Sequence, residues 1–73
     1  NPNCLSDAGV GALTAAACAE GAWYNVYINL DGFRDAAAAA DYRRRADEAL
    51  EIAHQHATEI GKRVRTSLRE AAS

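Results

Sequence analysis

Between Ala8 and Leu30 the chain carries a single charge, Glu20, in 23 residues. A run that apolar has to be covered, either by lipid or by protein. Its length is sufficient to span a bilayer. It nevertheless contains Thr14, Glu20, Asn25 and Asn29, and seven of its residues are alanine, which fits a helix buried in protein better than a membrane span. The end of the run, Trp23 to Leu30, is rich in β-formers, but without an evident partner strand it is expected to remain helical.

The chain offers little with which to cover such a helix. Alanine fills 18 of the 73 positions, against 12 for Leu, Ile, Val and Phe together. Alanine buries little area, and a chain this short buries a smaller fraction of its surface than a larger domain. A hydrophobic content of 49%, 25% charged residues and a net charge of −2 exclude a disordered tail and a strongly basic nucleic-acid arm. An oligomer, or a piece of something larger, is expected. The absence of methionine points the same way, to a processed product or a fragment.

Local signals divide the chain into an opening loop, a helix, a turn and a longer helix. Asn1-Pro2-Asn3 has turn chemistry, and Ser6 and Asp7 offer N-cap side chains where the apolar run begins. The first helix is expected over about residues 7–30. Asp31-Gly32 supplies its stop, with the glycine expected in the left-handed conformation, and a turn over 31–34. Asp35 can cap the second helix, over about 35–71, which opens with five alanines. Along it Ala46, Leu50, Ala53, Ala57, Ile60, Val64 and Ala71 recur at steps near three and four, with polar Ser67 in the same phase. That is one narrow apolar seam on a charged helix. Gly61 costs about 1 kcal/mol of propensity, and a bend or fraying is expected near it. At 1.5 Å per residue the helices span roughly 36 and 55 Å, so a hairpin would leave roughly a third of the second without a partner. The fold class implied is all-α, a long hairpin completed into a bundle of at least four helices by a second copy or by further helices.

Few residues suggest chemistry. Asn25 and Asn29 are four apart, on one helical face. They either bond across a helix interface and fix register, or point into a polar ligand cleft. Asn3, Ser6 and Asp7 either cap a helix or form a site in which the Asp7 carboxylate accepts two parallel hydrogen bonds from a heterocycle edge. His54 and His56, two apart, diverge by about 200° and cannot chelate one metal, so they read as solvated residues beside the seam. Cys4 and Cys18 match no zinc or redox spacing and fit idle thiols in a reducing compartment. Arg43-Arg44-Arg45 sits among Asp41, Asp47, Glu48 and Glu51, a solvated face with pairs such as Asp41–Arg45 and Arg44–Glu48 rather than a nucleic-acid patch. No phosphate loop, nucleophile elbow or metal cluster is visible, and no metal is expected.

Two runs carry more specific information: Asn1-Pro2-Asn3-Cys4-Leu5-Ser6-Asp7-Ala8-Gly9-Val10, and Gly21-Ala22-Trp23-Tyr24-Asn25-Val26-Tyr27-Ile28-Asn29. They resemble the C-terminal third of the cyclodeaminase-type domain of the formiminotransferase-cyclodeaminase family, which shows N-P-N-x-x-S-D-A-G-V, then G-A-x-x-N-V-x-I-N, then a loop and a long charged helix. The resemblance extends over essentially all 73 residues.

The resemblance implies an all-α bundle that dimerises or forms a higher homo-oligomer, cytoplasmic, with no membrane or nucleic-acid partner. It implies a tetrahydrofolate derivative as substrate and no covalently bound cofactor. The implied activity is that of a lyase, closing 5-formiminotetrahydrofolate to 5,10-methenyltetrahydrofolate with loss of ammonia. A hydrolase, the related methenyltetrahydrofolate cyclohydrolase, is equally compatible. A family domain is nearly three times this length and its acid–base aspartate lies upstream, so this segment alone is expected to be inactive. Asn3, Ser6, Asp7, Asn25 and Asn29 are carried over as substrate-positioning candidates only. The alternative is a non-catalytic helical oligomerisation module.

Overall fold

The computed structural model describes the backbone of residues 2–73 and the side chains from Cys4 onward. Helix α1 runs Pro2–Asn29, a 3-10 turn occupies Leu30–Gly32, and helix α2 runs Ala36–Ala72. The two helices pack antiparallel into a rod of 58 × 14 × 13 Å. No described helix is long and apolar enough to cross a membrane.

Helix α1 starts five residues earlier than the capping signals imply. Proline suits a first helical position, because its missing N–H would be unpaired there in any case. Ser6 and Asp7 therefore lie inside the helix instead of capping it. The extra turns also correct the reach expectation. Gly9 sits under Val64, whose Cγ1 would lie 3.3 Å from a Cβ built on the glycine. Leu5 shares a groove with Thr66 and Ser67, so α2 is partnered nearly to its end.

The connection is tighter than the expected glycine stop. Phe33 N–H donates to the Leu30 carbonyl at 3.1 Å, and no described glycine, Gly32 included, has a positive φ. A 3-10 turn reverses the chain without the left-handed residue. Asp35 then caps α2 as its sequence suggests, one carboxylate oxygen accepting from the Ala37 and Ala38 amides at 2.9 and 3.2 Å. The rings of Phe33 and Tyr42 meet edge to face at 5.2 Å across this cap. Helix α2 continues through Gly61 without interruption.

The seam on α2 is present: Ala46, Leu50, Ala53, Ala57, Ile60, Val64 and Ser67 are all half-buried, and it ends before the exposed Ala71. Its counterpart on α1 consists of Leu5, Gly9, Ala12, Ala16, Ala19, Trp23, Val26 and Leu30, half-buried or buried at the same alternation of four and three. The α1 seam is mostly glycine and alanine, which lets the helices approach closely while covering little area. Leu30, 9% exposed, is the most deeply buried of the described residues, and no described side chain is fully buried. Val10, Leu13, Tyr24, Ile28 and Ile52 remain more than half exposed, so the hairpin has a seam but scarcely a core.

Candidate functional site

At 100° per residue, the positions of α1 opposite its seam are those of Asp7, Thr14 and Asn25, with Asn29 roughly 70° to one side. All four are exposed. Asp7, Thr14 and Asn25 thus lie on the outward spine of α1, whereas Ser6 and Glu20 lie toward α2. The side chain of Asn3 lies outside the described residues. Asp7 and Asn25 share this face but are about 27 Å apart along the axis, so the hairpin does not bring them into one compact pocket. Ser6 and Asp7 belong to the open end of the rod, Asn25 and Asn29 to the turn end.

Each end has its own geometry. Ser6 borders a groove of about 250 Å³ with Val10, Leu13, Ala57, Val64 and Arg65. Near the turn, Asn29 Nδ2 donates 2.6 Å to the Asn25 backbone carbonyl, a bond within α1 and not across an interface. Also toward the turn end, but lined by neither asparagine, lies a groove of about 270 Å³, floored by Ala19, Ala22, Ala46 and Ala49 and walled by Trp23, Val26, Tyr42 and Arg45. It opens into a second alanine-lined trough of about 510 Å³ along Ile52, His56 and Ile60, with Ala49 common to both.

The opposite flank of the hairpin is tied by polar contacts that sequence reasoning missed. Trp23 Nε1 and the Tyr27 hydroxyl both donate to Asp47 Oδ1, at 2.9 and 2.6 Å, while their rings stack at 3.9 Å. Those donors hold the Asp47 carboxyl below its ordinary range, Tyr27 first and Trp23 second. The same bond to Asp47 raises the Tyr27 phenol. One turn away, His54 Nε2 lies 2.9 Å from Glu20 Oε1, and the Tyr24 hydroxyl donates to Glu20 Oε2 at 2.9 Å. This bond raises the Tyr24 phenol. His54 is therefore a cross-helix partner and not simply a solvated residue, whereas His56 faces the alanine trough. The signal was Glu20 itself: the one charge in a long apolar run requires a partner.

On α2 the pairs Arg44–Glu48 and Asp41–Arg45 form as their spacing implies, the second only loosely. Arg44 bonds Asp41 at 2.7 Å and Glu48 at 3.1 Å, and Arg45 reaches Asp41 at 3.7 Å. Among the described residues no three His, Cys, Asp or Glu side chains gather where they could hold a metal.

The formiminotransferase-cyclodeaminase family profile matches residues 1–48. The chain belongs to this family. The matched segment contains α1, the turn and the first third of α2, and with them every candidate residue named above on the spine and in the two asparagine positions. It stops short of the C-terminal part of α2, so the resemblance read over the whole chain narrows to its first two-thirds. No curated protein and no solved structure matches the chain. Membership of the formiminotransferase-cyclodeaminase family places the chain in folate chemistry and agrees with the all-α hairpin.

Proposed function

We propose that the chain is the C-terminal part of a tetrahydrofolate one-carbon enzyme that cyclises 5-formiminotetrahydrofolate and releases ammonia. The observation that carries this reading is the family match over both motif-bearing runs. In the reaction, N10 of the substrate attacks the formimino carbon on N5, the C=N bond opens, and the N10 proton passes to the former imine nitrogen to give an aminal. The resulting aminal nitrogen takes up a proton and leaves as ammonia, giving the 5,10-methenyl cation. Such a step needs a positioned acid and a dry pocket.

In this reading the outward spine of α1 faces the cleft. Asn25 and Asn29 position substrate at the turn end, and Asn3, Ser6 and Asp7 do so at the open end. Because the two groups lie about 27 Å apart, they serve different parts of a ligand or two sites in an assembly. The near absence of buried residues supports a homodimeric or larger bundle, since only further helices can cover α1. The main acid–base group comes from outside this segment.

The test is to follow ammonia and methenyl absorbance together in the complete protein supplied with 5-formiminotetrahydrofolate. Both rising in step is the expected outcome. Methenyltetrahydrofolate hydrolysis with no ammonia release would identify a cyclohydrolase. A protein that binds no tetrahydrofolate at all would be an oligomerisation module. An Asp7→Asn variant with unaltered folate affinity and turnover would remove Asp7 from the site.

A further inference from the structure

The turn-end groove sets four seam residues of the hairpin, Ala19, Trp23, Val26 and Ala46, beside the exposed side chains of Tyr42 and Arg45. Its floor is alanine, its walls carry two aromatic rings, Trp23 and Tyr42, and its single charged residue is Arg45. Tyr42 is 45% exposed, and the Arg45 guanidinium stands 5.8 Å from the centre of its ring. Arg45 is only weakly engaged. Its one ion-pair partner, Asp41, is 3.7 Å away and is already held at 2.7 Å by Arg44. No carboxylate borders the groove. An apolar slot with aromatic walls and one available guanidinium selects a flat aromatic group joined to a carboxylate, because the guanidinium fork matches carboxylate geometry. At about 270 Å³ the slot lies at the lower edge of ligand-site volumes, enough for one ring rather than a fused bicycle plus a tail.

We infer that this groove binds the aminobenzoyl-glutamate half of a folate, the ring against Trp23 and Tyr42 and a carboxylate on Arg45. The inference rests on the folate reading above and deepens it by dividing the substrate. The tail lies in the groove between the helices, which leaves the pteridine and the reacting carbon to groups outside it.

The experiment titrates the complete protein calorimetrically with p-aminobenzoylglutamate, with tetrahydrofolate, and with a tetrahydropterin that lacks the tail. The expected result is saturable binding of the first two, each weakened about tenfold by Arg45→Gln and less by Arg45→Lys, with tetrahydropterin indifferent to both substitutions. Arg45 is 64% exposed, so its replacement leaves the fold intact. Tyr42→Leu should weaken the tail without changing its dependence on Arg45. Tetrahydrofolate binding that is strong and equal in wild type and Arg45→Gln overturns this groove assignment while the folate reading stands. A failure of tetrahydrofolate to bind at all overturns both. Binding of p-aminobenzoylglutamate that never saturates also overturns the assignment.

Discussion

The two flanks of the hairpin are built on opposite plans. On one, Glu20–His54, Trp23–Asp47 and Tyr27–Asp47 tie α1 to α2 with directed bonds. On the other, alanines from both helices form a continuous trough with no cross-helix hydrogen bond among the described residues. The tied flank is complete as it stands. The alanine flank is a surface of low relief whose methyl groups would bury well only beneath something else. Directed bonds specify how the helices meet, while the bare flank leaves room for whatever the hairpin is meant to receive.

The sharpest way to break the comparison is at the point both flanks share. Leu30 closes the seam beneath the turn, and Leu30→Ala should cost about 2–5 kcal/mol. Loss of helical circular dichroism at a lower temperature, with both flanks loosening together, is the expected result.

Next in size is removal of the acceptor that serves two donors. Asp47→Asn should lower the melting temperature and move the phenolate titration of Tyr27 back toward its ordinary range, read by ultraviolet absorbance. The sign of the accompanying pH dependence is fixed by these two groups. Asp47 has a depressed folded pKa, so its contribution is present above about pH 4 and is lost as pH falls through the folded value. Tyr27 has a raised folded pKa, so its contribution is present below about pH 10 and is lost as pH rises through the folded value. The tied flank should therefore loosen at both extremes and the alanine flank at neither, visible as changes in Trp23 emission.

A smaller effect tests the closeness of the seam. Gly9→Ala gains helix propensity of about 1 kcal/mol but requires Val64 to yield a few tenths of an ångström. The net change in melting temperature should be slight, and clearly more favourable in a Val64→Ala background, where the space is free. The smallest expected change comes from Glu20→Gln. Its pair with His54 is part-exposed, so only a slight drop in melting temperature is expected.

How much of this was legible depended on contrast. The α2 seam could be read because Leu50, Ile60 and Val64 stand out at three-and-four spacing on a charged helix. The α1 seam could not, because Gly9, Ala12, Ala16 and Ala19 are no more apolar than their neighbours on other faces. Capping by Asp35 was visible because its carboxylate precedes an alanine run. Ser6 and Asp7 gave the same signal, but Pro2 could start the helix earlier and did. The ties of Asp47 and His54 were invisible for a different reason: they depend on which turn of α1 lies opposite which turn of α2, a long-range fact that no local spacing contains. For the candidate site, the shared face of Asn25 and Asn29 followed from their spacing, whereas the turn-end groove required both helices.

The unbroken alternation of four and three along both seams carries a degeneracy. Sliding one helix past the other by seven residues would again set small side chains against a similar stripe, so close packing alone does not fix the register; the short connection from Leu30 to Asp35 and the polar ties do. Asp47 between Trp23 and Tyr27, and His54 against Glu20, act as a key cut for one position of the lock. A variant stripped of those residues keeps the connection from Leu30 to Asp35 as its register stop, and should retain its helicity while the pairing of the two helices loosens toward the open end.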